Sequence, residues 1–388
     1  MKNRKMDSWL WILLLAVAVG CEKKTTAPLF ESFFKADGNW EGKTDQNEKV
    51  SFRIDSSAVK AFSIRIQTQS EIAVIRLEAG PGQPVAIASR NAFSFSGSGL
   101  NVTAEILSDT TCEGTFEYEG ISGLWSCVKR DTVQEDEIQT PEGWRLVWHD
   151  EFDGPGIDSA KWGFEVNGRG GGNNELQYYT DREENAFVED GALVIQALKE
   201  QYTGTDGTRN YTSARIRTKN KGDWKYGRFD IRARLPYGQG IWPAIWMMPT
   251  DAVYGSWPAS GEIDIMEELG QEPKRVYQTL HFGGVGAHAQ TGGSYVLKSG
   301  DFSEDFHLYT LEWDSTAMRW SVDGTVVLTK KVDSWYTTAA PRPAPFNQRF
   351  YLILNLAVGG NWPKSPNATT VFPQRLTVDY TRVYQKAP

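Results

Sequence analysis

The chain lacks the features of several protein classes. Its 388 residues carry no excess of positive charge: 41 basic residues stand against 49 acidic ones, for a formal net charge of −8. That excludes a nucleic-acid binder working by phosphate neutralisation. The apolar run Trp9–Val19 has 11 residues, far short of the roughly 20 a spanning helix needs. Cysteine is scarce, with three in all, and Cys112 and Cys127 have no histidine near them in sequence, which makes them a poor metal site. No stretch beyond Trp144 keeps a 3.6-residue apolar period for ten residues or more, and no internal repeat is present. What is abundant is glycine (37) and tryptophan (15), and 11 of the tryptophans lie beyond residue 140. With a hydrophobic share of 40%, the composition predicts a sizeable core built of strands and turns.

Residues 1–20 read as an export signal, with a basic start (Lys2, Arg4, Lys5) and then the short apolar run. The run closes on Ala18-Val19-Gly20-Cys21, which resembles a bacterial lipoprotein signal in which Cys21 becomes the lipidated first residue. Glu22 then favours the outer membrane or cell surface, and residues 21–29 serve as a tether. In an oxidising compartment Cys112 and Cys127 can pair, closing a loop of about 15 residues worth roughly 3 kcal/mol.

Between 30 and 130, short alternating runs such as Val50-Ser51-Phe52-Arg53-Ile54 predict a small antiparallel β domain. It carries no catalytic constellation. A spacer or accessory module is the plainer reading, and a carbohydrate-binding module built on Trp40, Trp125 and Tyr118 is the alternative. Residues 131–141, acidic and ending in Pro141, read as a linker. From 142 to 388 the strands lengthen, with Asp323-Gly324 marking a hairpin, and the pattern predicts one all-β sandwich or jelly roll.

Chemistry concentrates in Gly261-Glu262-Ile263-Asp264-Ile265-Met266-Glu267-Glu268. In a strand, Glu262 and Asp264 share a face while Ile263 and Ile265 suit the core. A β-bulge at Ile265–Met266 would swing Glu267 beside the other two acids. Three carboxylates on one face repel, so at least one pKa should rise and a proton should be shared. A glycosidase has a use for such a face, since one carboxylate attacks the anomeric carbon and one carboxylic acid protonates the leaving oxygen. Trp242, Trp246 and Trp257 flank the acids and His281 follows them. Aromatic rings beside carboxylates suit the apolar face of a sugar.

Glu262-Ile263-Asp264-Ile265-Met266-Glu267 resembles the signature of family 16 glycoside hydrolases, in the bulged form typical of laminarinases (endo-β-1,3-glucanases). The likeness extends through Leu146-Val-Trp-His-Asp-Glu-Phe152, Asn173-Asn-Glu-Leu-Gln-Tyr-Tyr-Thr180 and Tyr211-Thr-Ser-Ala-Arg-Ile-Arg217. It continues in Gly240-Ile-Trp-Pro-Ala-Ile-Trp-Met247, Leu354-Asn-Leu-Ala-Val-Gly-Gly360 and Val378-Asp-Tyr-Thr-Arg-Val-Tyr384. The resemblance implies a concanavalin-like β-jelly roll with an open cleft and a retaining mechanism needing no cofactor. Glu262 matches the nucleophile, Glu267 the general acid/base and Asp264 the acid that tunes them. Asn174, Arg215, Trp242, Trp246, Trp257 and His281 match positions lining the sugar site. Glu151, Gly191 and Asp379 match the ligands of a structural Ca²⁺ away from the cleft. The implied partner is a β-glucan polysaccharide acted on by a monomer, with the lipid as its sole contact with membrane. Mixed-linkage or other β-glycan hydrolysis, transglycosylation, and non-catalytic glucan binding are the rival readings.

Overall fold

The computed structural model describes residues 38–46, 49–55, 58–67, 72–78, 85–86, 92–97, 100–107, 111–130 and 138–387, without 155 and 190. The export signal, Cys21, the tether and most of the linker therefore lie outside the described residues.

The strands between 38 and 130 form one antiparallel sheet of nine. Their alternation does what period-2 patterning dictates: along Leu100–Ile106 every second side chain is buried. The buried set includes Trp40, Phe52, Phe116 and Trp125, with Trp40 stacked on Phe52 at 5.6 Å between ring centroids. Trp40 and Trp125 are 0% and 2% exposed, so neither offers a face to a sugar, and the carbohydrate-binding alternative loses its two tryptophans. Cys112 and Cys127 are register partners on adjacent strands. The two sulfurs are not joined to each other in this structure, contrary to the pairing expected. Cys112 Sγ donates to the Glu113 carbonyl (3.9 Å) and Cys127 Sγ to that of Val50 (3.7 Å). Burial pushes the Cys112 thiol up to about 12.

From Trp144 onward two eight-stranded sheets share one hydrophobic core. One runs Ala186–Glu189, Ala192–Ala197, Gln374–Lys386, Gly227–Arg234, His307–Trp313, Ala317–Val322, Thr325–Lys331, with Trp144–Asp150 also on Gln374–Lys386. The other runs Gly163–Phe164, Arg215–Arg217, Phe350–Val358, Ile241–Pro249, Glu262–Glu268, Arg275–Gly284, Ala287–Val296, with Asp223–Trp224 on Phe350–Val358. Ladder partners in both sheets are antiparallel, and no helix among the described residues is long and apolar enough to cross a membrane. This is the all-β jelly-roll sandwich read from the sequence.

Side-chain alternation sorts the second sheet. Ile241, Ile245 and Met247 enter the core while Trp242 and Trp246 face the other way. Along Phe350–Val358 every residue is buried, because one set (Leu352, Leu354, Leu356) packs in the core and the other (Ile353, Asn355, Ala357) floors a cleft.

Candidate active site

The cleft encloses about 1180 Å³ over the outer face of that second sheet, a size and mixed lining suited to a small-molecule or oligomer ligand. Its centre is the acid strand. Gly261 precedes it at φ +83°, where a Cβ would sit 2.6 Å from the Phe346 ring, so only glycine enters the strand this way.

The bulge is present where the spacing placed it. Asp264 pairs with Thr279 and Glu267 with Tyr277, so Ile265 and Met266 together face Gln278. On the other side Met266 pairs with Ile245 and Asp264 with Trp246. Both Ile265 and Met266 are buried in the core. Strict alternation would have aligned Glu268, not Glu267, with Glu262 and Asp264. The extra residue reverses that choice. Glu262, Asp264 and Glu267 line the cleft, while Glu268 is fully buried with neither carboxyl oxygen hydrogen-bonded.

The two glutamates each accept from a tryptophan. Trp257 Nε1 donates to Glu262 Oε2 at 2.7 Å and Trp242 Nε1 to Glu267 Oε1 at 3.1 Å. Trp320, from the other sheet, donates to the Asp264 backbone carbonyl at 3.0 Å, which pins the strand at its bulge. Burial is the main force on all three carboxyls and raises every one. Glu262, further raised by Asp264, stands near 8, and Asp264 also stands near 8. Glu267 is held well above the ordinary carboxylate range by burial and then by Asp264 and Glu262. Glu267 thus holds its proton beyond the ordinary carboxylate range, as a proton donor requires.

Below the acids a network fixes the cleft floor. Trp246 Nε1 donates to Asn355 Oδ1 (2.6 Å), and Asn355 Nδ2 to Tyr179 Oη (3.2 Å). Tyr179 in turn donates to Glu175 Oε2 (3.1 Å). The Arg215 guanidinium lies over Tyr179 and Trp246, 4.5 and 5.3 Å from their ring centroids. Arg215, Trp242, Trp246, Trp257 and His281 all line the cleft. Asn174 does not. It takes a positive φ of 58° and turns to Asn361 (2.9 Å), leaving Asn173 and Glu175 on the cleft wall. Asn355, Glu175 and His288 were not foreseen, and neither was Trp362, edge-on to Trp242 and Tyr277 at 5.7 and 4.9 Å.

A scan against family models matches residues 173–382 to glycosyl hydrolases family 16. The chain belongs to that family. It is similar to the glucan endo-1,3-beta-glucosidase A1 of Niallia circulans, 44% identical over 65% of this chain and 40% of that protein. The beta-glucanase of Rhodothermus marinus is 46% identical over 62% of this chain and 85% of its own length. Among solved structures, the laminarinase catalytic domain of Thermotoga maritima superposes with TM-score 0.57 at 45% identity, covering 64% of this chain and 100% of that one. The chain thus spans less than half of the Niallia protein. As a family 16 member it is a glycoside hydrolase, and the carboxyl trio lies within the matched residues.

The residues expected to hold Ca²⁺ form a separate place. Trp144–Asp150 and Ala192–Ala197 both pair with Gln374–Lys386, end to end. The first ladder stops at Asp150↔Thr381 and the second at Leu193↔Val378, so Glu151 and Gly191 run toward the gap opposite Asp379 and Tyr380. Both Glu151 carboxyl oxygens accept from Arg382 (2.9 and 2.7 Å), so the oxygen it would offer a cation is its backbone carbonyl. Asp379 spends Oδ2 on Arg232 (2.6 Å) and keeps Oδ1. Carbonyl and carboxylate oxygens beside a strand gap fit a hard cation.

Proposed function

We propose that the protein is a retaining endo-β-1,3-glucanase acting on laminarin-like β-glucans. The observation that carries this is the bulge, which turns Glu262, Asp264 and Glu267 into one cleft under Trp242 and Trp257. Glu262 attacks the anomeric carbon and Glu267 gives its proton to the departing oxygen. Glu267, now ionised, then takes a proton from the water that releases the glycosyl-enzyme. Burial first, and then the neighbouring Asp264 and Glu262, keep Glu267 protonated in the resting site. The named β-1,3-glucanase and laminarinase relatives support the substrate class. The intact trio weighs against a purely binding role.

The test is a reducing-sugar assay on purified laminarin, mixed-linkage β-glucan, agar and porphyran, with NMR of the first-formed product. We expect laminarin to be cut fastest, by internal scission, and the first product to be the β-anomer. Fastest cleavage of another polymer would reassign the substrate, an α-anomer would defeat retention, and products longer than the substrate would identify a transglycosylase.

The same proposal includes export as an outer-membrane or surface lipoprotein through Cys21, a monomeric state, and a structural Ca²⁺ held by Glu151, Gly191 and Asp379. The ion would join the first strand after Pro141 to the last strand of the chain, away from the acids. Chelation is therefore expected to lower Tm and leave the rate at moderate temperature nearly unchanged, with Tm restored by added calcium. A Tm indifferent to both treatments would remove the ion from this account.

A further inference from the structure

Glu262 and His281 face each other across one rung of the sheet, with Asp264 two rungs on toward the bulge. One ligand atom from each of the three lies within 4.8 Å of the others. Asp264 is 2% exposed and its Oδ2 accepts no hydrogen bond, although His281 Nε2 stands 3.2 Å away. The other side of the imidazole shows why such a gap can exist. His281 Nδ1 lies 2.8 Å from His288 Nε2, the rings stacked at 5.1 Å. When Nδ1–H is donated to His288, Nε2 presents a lone pair to Asp264 Oδ2. Two electron-pair donors then face each other 3.2 Å apart, a spacing that a bound cation can bridge.

We propose that Glu262, Asp264 and His281 bind a divalent transition ion of the zinc class, and that this ion shuts the glucanase off. Zinc bonds of about 2.0–2.2 Å at the tetrahedral angle separate neighbouring ligand atoms by about 3.4 Å, close to the Asp264–His281 spacing. Glu262, with an oxygen within 4.8 Å of both, closes through its own torsions to complete three protein ligands, leaving the fourth position to water. One imidazole among the ligands selects zinc, copper or nickel over calcium or magnesium. His288 supplies the outer hydrogen bond that a metal-ligating histidine ordinarily makes. The ion would hold the electron pair that Glu262 uses for attack, so the inhibition, unlike the binding, rests on the reading of Glu262 as nucleophile.

The experiment is calorimetric titration of ZnCl₂ into the full chain without a histidine tag, with calcium saturating so that hard-oxygen sites are filled. Visible spectra with Co²⁺ as a probe accompany it. We expect one Zn²⁺ per chain, a tetrahedral-type Co²⁺ band, and competition between Zn²⁺ and a laminari-oligosaccharide. His281→Ala should abolish saturable binding. His288→Ala, on an edge strand where folding is little threatened, should weaken it by about 10–100-fold. No saturable heat with the native chain would mean that a proton alone fills the gap, and would overturn the proposal. Unchanged affinity in both histidine variants would place the ion elsewhere and overturn it equally. Binding that meets these expectations without loss of laminarin hydrolysis would uphold the metal site and refute the role given to Glu262, so the two failures are distinguishable.

Discussion

Glu262→Gln is expected to cut glucan turnover by roughly 10⁴–10⁶-fold, the scale of removing a nucleophile from other hydrolases, while making the protein more stable. The first effect follows from chemistry: an amide oxygen cannot form the glycosyl ester, and Trp257 Nε1 can still donate to it, so the cleft keeps its shape. The second follows from linkage. Burial and then Asp264 lift the Glu262 carboxyl from an ordinary 4.5 to about 8 in the folded chain. Between those values the folded chain holds a proton that the unfolded chain has lost. A raised acid therefore contributes fully below pH 4.5 and loses that contribution as pH climbs through 8. Glutamine, neutral throughout, escapes the loss. The Tm advantage of the variant should be small in acid and widen up to about pH 8, at about 2–4 °C for each kcal/mol recovered in a domain of this size. Differential scanning calorimetry from acid to mild alkali, with laminarin assays on the same samples, checks both halves. A Tm difference that shrinks with rising pH would refute the buried-acid account, and near-native turnover would refute the nucleophile.

The same residues show how much of the site was legible in the sequence. A strand motif is local, so the acid trio, the core-facing Ile263 and even the bulge could be read from spacing, and the two tryptophans that donate to the acids lie within about 25 residues of them. Period-2 alternation likewise predicted the sandwich, because each strand buries one face. What spacing could not supply were partners from distant strands. Asn355 meets Trp246 across 109 positions, and Trp362 closes on Tyr277 from a loop after the last floor strand. His288 reaches the cleft only because the hairpin Arg275–Gly284 to Ala287–Val296 folds back with Gly283 opposite it. Aromatic side chains between 38 and 130 misled for a related reason: alternation says which residues share a face, and not which face is inside. Trp40 and Trp125 are on the buried one. Asn174 was misplaced by one residue of backbone geometry, since its positive φ sends the side chain to Asn361 and leaves its neighbours on the wall.

Glu267→Gln should lower glucan hydrolysis by about 10²–10⁴-fold, the worth of a general acid–base, and should spare substrates that do not need the proton. An aryl glycoside with an acidic phenol leaves unaided, so its first step should be nearly insensitive to the change. The natural glucan, whose leaving alkoxide is strongly basic, should bear the full loss. Deleting Met266 tests whether the bulge itself supplies this arrangement. The deletion leaves Glu262-Ile263-Asp264-Ile265-Glu267, which alternates regularly and keeps all three acids facing the cleft. It also removes a fully buried side chain that packs in the core opposite Ile245, so the variant should melt lower, by the few kcal/mol typical of a large core truncation. Because the proton donor remains, the deletion should slow glucan and aryl glycoside about equally, by roughly 10²-fold for a misplacement of about an ångström. Measured side by side on both substrates, with folding confirmed by circular dichroism, Glu267→Gln should separate the two rates and the Met266 deletion should not. If the deletion reproduces the glucan-selective defect, Glu267 has left the cleft, Glu268 has been drawn into the register it was denied, and the bulge is what holds the acid in place rather than a tolerated irregularity.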